Sequence, residues 1–125
     1  MIFTFTDFGI EGPYMGQMRA AVLTEAPGVE VVDLMVDVPA FNPRAAAYLL
    51  AAISMTLPSP FVCLAVVDPG VGSARRPIIL QCGENRFVGP ENGLFEIAAR
   101  RSEASPEWFE ITWRPEQLSS SFHGR

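Results

Sequence analysis

Between Pro58-Ser59-Pro60 and Asp68-Pro69-Gly70 runs the segment 61–67 (FVCLAVV), apolar without a break. A strand with one wet face alternates apolar and polar residues. An unbroken apolar run bounded by turn formers predicts a strand covered on both faces, and such strands belong to parallel sheets wrapped by helices. The rest of the chain fits that frame. Residues 2–6 (IFTFT) read as a β-rich first strand, and residues 14–26 have helical composition and stop at Pro27-Gly28. Residues 29–36 (VEVVDLMV) read as a second strand. Residues 39–43 form a loop, followed by an Ala- and Leu-rich helix over 44–55. Beyond the central run, 77–82 and 86–88 read as a strand pair separated by Gly83-Glu84-Asn85, 92–101 as a short helix and 108–113 as a last strand. Strands alternating with helices predict an α/β fold with a mainly parallel sheet covered by helices.

The chain has 125 residues, 49% hydrophobic and 18% charged, with mean hydropathy +0.22, which suits one folded domain and not a disordered segment. No repeat or linker divides it. The net charge of −5 and pI near 4.8 argue against a phosphate-backbone binder, so no nucleic acid is expected as partner. All nine basic residues are Arg. The lack of Lys excludes Schiff-base chemistry, a P-loop lysine and a kinase Lys–Glu pair. With His123 the single His, a His-rich metal site is excluded too. Cys63 and Cys82 each sit in an apolar run and outside any CxxC, and read as buried residues of a reducing compartment. Residues 1–9 lack the basic start of a secretory signal. The longest apolar stretch, 45–57, is short of the roughly 18 residues of a membrane span. A cytoplasmic protein with no membrane partner is the expectation.

In open parallel sheets ligands gather at the carboxyl ends of strands. Three polar turns fall there: Thr6-Asp7-Phe8-Gly9, Asp68-Pro69-Gly70-Val71-Gly72 and Gly89-Pro90-Glu91-Asn92-Gly93. An Asp directly after a strand is placed to accept from a ribose diol, and equally to close a turn or cap a helix. The amides around Gly70 can form a nest, with Arg75-Arg76 immediately following; a plain loop with a surface Arg pair has the same pattern. Spacing alone reaches a small-molecule domain with carboxylates, an Arg pair and a terminal His, and no reaction.

Taken together, TDFG at 6–9, YMGQMRA at 14–20, VDL at 32–34, VVDPGVGSARRP at 66–77, VGPENGL at 88–94 and FHGR at 122–125 resemble the S-adenosylmethionine (SAM) hydroxide adenosyltransferase family, relatives of the SAM-dependent chlorinases and fluorinases. The resemblance implies a Rossmann-like N-terminal domain and attack of water or hydroxide on C5′ of the SAM ribose, giving adenosine and methionine. It implies that Asp7 holds the ribose hydroxyls, with Phe8 and Gly70 also on the substrate, and that Asp68, Arg75 and His123 position and activate the water. In the halogenating branch an aromatic stands at the Asp68 position, so hydrolysis is favoured over halogenation.

Two positions depart from the family pattern: Gly12 replaces an acid and Val36 a His. The family also carries a second, mostly β domain beyond FHGR, and its trimers build the site between one subunit's N-domain and a neighbour's C-domain. Residues 1–125 are accordingly expected to be the catalytic N-terminal domain without that β domain, trimeric at full length. SAM is expected as substrate, with no cofactor or metal. The alternatives are a SAM halogenase and a nucleoside-binding or oligomerising module without turnover.

Overall fold

The computed structural model of this chain describes residues 1–114. Six strands form one mixed sheet: β1 (Ile2–Thr6), β2 (Val31–Met35), β3 (Val62–Val66), β4 (Pro77–Cys82), β5 (Asn85–Pro90) and β6 (Pro106–Glu110). Their order across the sheet is β2-β1-β3-β5-β4-β6. The pairs β1–β2, β1–β3 and β3–β5 are parallel, while β4 runs antiparallel to β5 and β6. The reversed strand follows from the two-residue turn Gly83-Glu84, in which Gly83 has φ +60, a conformation that only Gly adopts freely. Asn85 therefore belongs to β5 and not to the turn.

Helices α1 (Tyr14–Glu25), α2 (Pro43–Ser54) and α3 (Glu96–Arg101) complete the fold. Helix α2 starts where Asn42 Oδ1 accepts from the Ala45 amide at 3.0 Å, with Pro43 in the first turn. Helix α3 is shorter than the 92–101 expected. The Asn92 side chain accepts from the Leu94 amide and Gly93 takes φ +88, so these residues form a turn that precedes the helix. The last strand also lies earlier than expected, at Pro106–Glu110.

Helices α2 and α3 cover one face of the sheet. Phe3, Phe5, Cys63, Ala65, Leu80 and Phe87 point into that side, against Leu50, Ala51, Phe95 and Ala99. The rings of Phe3, Phe61, Phe87 and Phe95 form a chain with centroids 5.5–5.9 Å apart. The opposite face departs from expectation. In β3, Cys63 and Ala65 are buried, but Val62, Leu64 and Val66 are only half-buried. Apolarity on both faces is present in the sequence, yet among the described residues the second face is closed over β1, where Thr4 and Thr6 are fully buried, and only partly over β3. Helix α1, on the other side, has no buried residue, because its apolar residues are spread around its circumference. It is held by polar contacts: Arg19 pairs with Asp33 of β2 at 3.3 Å and donates to the Val31 carbonyl, and Asp33 accepts from Thr4 Oγ1 at 2.7 Å. Among the described residues no helix is long and apolar enough to cross a membrane.

Candidate active site

The chain leaves β1 for β2 on one side of the sheet and enters β3 on the other. The carboxyl ends of β1 and β3 thus form a topological switch point, where open α/β sheets bind ligands. Thr6 pairs with Val66 across these strands, so Asp7 and Asp68 leave adjacent strands just beyond the same rung. Two turns singled out in the sequence are brought together here.

The Asp68 side chain is 2% exposed. Its Oδ1 accepts from the Gly70 amide at 3.0 Å and forms an ion pair with Arg75 Nη1, whose side chain is 24% exposed. Burying a carboxylate is costly unless an opposite charge and hydrogen bonds compensate, and the loop supplies both to Oδ1. Oδ2 is buried and has no hydrogen-bond partner among the described residues. Such an atom is stabilised by any donor brought to it, including a water or a substrate hydroxyl. Gly70 makes the pair possible in a second way. A Cβ at this position would collide with Arg75 Nη2 and lie 2.7 Å from Cζ, so the guanidinium lies across the space a side chain would fill.

Asp7 is half-buried, and its Oδ2 accepts from the Phe41 amide at 3.1 Å. A carboxylate has about four acceptor sites, so Asp7 keeps capacity for a diol. Phe41 itself is 76% exposed and holds φ +58, rare for a bulky residue. Spacing gave no sign of this contact; the flanking Pro39 and Pro43 were the one hint of an unusual loop. Phe8 packs its ring against Tyr14 at 5.9 Å, and its amide donates to Thr6 Oγ1. The structure thus places Asp7, Phe8, Asp68, Gly70 and Arg75 at the strand ends, while His123 lies outside the described residues.

The third turn closes the site from beside β3. Asn92 Nδ2 donates to the Val67 carbonyl at 2.8 Å, and Glu91 holds Arg76 by two hydrogen bonds of 2.6 Å. These hydrogen bonds chiefly hold the Glu91 carboxyl below its ordinary range. A cleft of about 480 Å³ opens at the opposite end of the sheet, near Cys82, Asn85 and Ser102, away from both aspartates.

Residues 2–125 match the model of the family described as SAM hydroxide adenosyltransferase N-terminal domain. The chain belongs to this family. An (R)-S-adenosyl-L-methionine hydrolase of Thermus thermophilus is 45% identical over 97 residues, covering 78% of this chain and 38% of the relative. A protein of the same name from Salinispora arenicola is 37% identical over 123 residues, covering 96% and 47%. The crystal structure of an uncharacterised conserved protein from Thermotoga maritima superposes with a TM-score of 0.90 at 34% identity, over 100% of this chain and 49% of that one. The chain therefore spans less than half the length of the relatives it matches, and its SAM hydroxide adenosyltransferase sheet is shared with structures of twice its size.

Proposed function

We propose that the protein hydrolyses SAM to adenosine and L-methionine, with this chain as its catalytic N-terminal domain. The observation that carries the reading is the buried Asp68–Arg75 pair at the switch point, whose free carboxylate oxygen faces no described donor. Its support from relatives is that several bear the name (R)-S-adenosyl-L-methionine hydrolase.

The chemistry puts the burden on the nucleophile. The C5′–S bond breaks with its electron pair moving to sulfur, and methionine leaves as a neutral thioether that needs no general acid. A water oxygen forms the new bond to C5′ and must lose a proton. Lowering water's pKa from 15.7 to about 7 amounts to roughly 12 kcal/mol. One guanidinium about 4 Å away supplies roughly 4 kcal/mol at an effective dielectric near 20. Arg75 alone therefore does not maintain a standing hydroxide, and a base must accept the proton during attack. In this reading the His123 imidazole takes the proton while Asp68 orients the water and Asp7 holds the ribose diol. Phe8 and Gly70 line the substrate. SAM is the substrate, no cofactor or metal takes part, and the full-length protein is a cytoplasmic trimer.

Product analysis tests the reading. SAM incubated with the protein as its gene encodes it should yield adenosine and methionine in equal amounts, with or without halide. A halide-dependent 5′-halo-5′-deoxyadenosine would make it a halogenase, and binding without product a module without turnover.

A further inference from the structure

The two residues at the centre of the site, Asp68 and Arg75, both lie on the loop between β3 and β4. In the sheet β5 lies between these strands, so the loop has to pass over the carboxyl end of β5. The turn found at that end, Pro90 to Gly93, touches the loop twice. Asn92 Nδ2 donates to the carbonyl of Val67, the residue immediately before Asp68. Glu91 takes Arg76, the residue immediately after Arg75, by both carboxylate oxygens, and its amide donates to the Arg76 carbonyl at 2.9 Å. Arg76 also reaches Glu110 on β6 at 3.5 Å. Within the loop, the Ser73 amide donates to the Gly70 carbonyl.

We infer that Glu91 and Asn92 form a two-point clamp, with Arg76 as its counterpart, that fixes the distance between the ends of the Asp68–Arg75 loop and so sets the geometry of the pair. These are positioning residues: none of the three donates to or accepts from the Asp68 carboxylate. The Arg76 and Glu91 side chains are 55% and 44% exposed, so their ion pair adds little to global stability. A bidentate Arg–carboxylate contact nevertheless fixes orientation as well as distance. Its effect belongs to the placement of reacting groups, where small displacements are costly. The catalytic part of the inference rests on the hydrolase reading; the structural part does not.

The test uses the protein as its gene encodes it, with Glu91→Gln, Arg76→Gln and the reciprocal Arg76→Glu/Glu91→Arg variant. SAM turnover and hydrogen exchange over residues 68–76 are measured together. Each single variant should lower kcat about tenfold with KM for SAM within about twofold, and the loop amides should exchange faster. The thermal midpoint should stay close to wild type. The reciprocal variant should restore much of kcat and the slow exchange. Wild-type kcat in the single variants, a loss confined to KM, unchanged exchange, or no recovery in the reciprocal variant would each overturn the clamp. Recovery is decisive because an Arg76 acting on substrate would not tolerate relocation. If the wild-type protein releases no adenosine, the hydrolase reading fails by itself, and the exchange data still decide whether the loop is clamped.

Discussion

A methyl group at Gly70 would occupy the place of the Arg75 guanidinium. The backbone there is not in the left-handed region, so Gly70→Ala should fold normally, turn the guanidinium away from Asp68 and lower SAM turnover by about a hundredfold. A turnover near wild type would show that the pair is dispensable. Arg75→Ala acts on the same contact differently. It leaves the Asp68 carboxylate buried without its cation, so chemical unfolding should register a loss of about 1–3 kcal/mol alongside the lost turnover, while SAM affinity changes little. Gly89 is a contrasting case, set by packing and not by the ion pair. Its Cβ would run into the Ala65 carbonyl oxygen and lie 2.9 Å from Phe95 Cζ, so Gly89→Ala should cost about 1–3 kcal/mol of stability through overpacking. The two thiols separate by burial. Cys63 is fully buried, which pushes its pKa from 9.0 to about 12. In the unfolded chain the thiol ionises first, so this contribution to stability is intact below pH 9 and is lost as pH rises from there towards 12. At pH 8 a thiol reagent should label Cys82 in the native protein, and Cys63 only after unfolding. Asp68 and Arg75 were legible in the sequence because an Asp after an apolar strand and an Arg pair after a Gly-rich turn carry chemistry in their types. The Gly70–Arg75 contact and the Asp7–Phe41 hydrogen bond were not, because both depend on the path of a loop and leave no periodic trace.

Among the elements, β1 and β4 occupy the spans that composition and turn residues predicted and α1 ends one residue short of its own, since each is bounded by Pro, Gly or a sharp change in polarity. Helix α2 is displaced by a residue because Asn42 caps it and Pro43 is suited to its first turn. Removing that cap in Asn42→Ala should lower stability by about 1 kcal/mol, measured by denaturant unfolding, and leave the site unaltered. Helix α3 starts later than the 92–101 expected for a local reason and a tertiary one. Asn92 donates its amide to the Val67 carbonyl and accepts from the Leu94 amide on its oxygen, and with Gly93 at φ +88 these two poor helix formers make a turn that delays the helix. The Arg76–Glu91 pair joins the loop that precedes β4 to that turn, and its pH dependence follows from its sign. The Glu91 pKa is lowered in the fold, so the contribution of the pair is present above the ordinary carboxylate range and is lost as pH falls through the depressed value.

At the scale of the whole molecule, strands alternating with helices around the run at 61–67 were enough to identify an α/β sheet but not how fully it is covered. Val62, Leu64 and Val66 are as apolar as their buried neighbours, yet they lie half-buried. Local sequence reports the preference of a side chain and not what covers it. The same limit applies to His123, which the FHGR motif brings into the reading and which lies outside the described residues. The switch point, its buried ion pair and the family membership together support attack of water at C5′. The most direct measurement is SAM turnover in heavy-oxygen water by the protein as its gene encodes it. The account predicts one labelled oxygen in the 5′-hydroxyl of adenosine and none in methionine. Adenosine formed without label would contradict it.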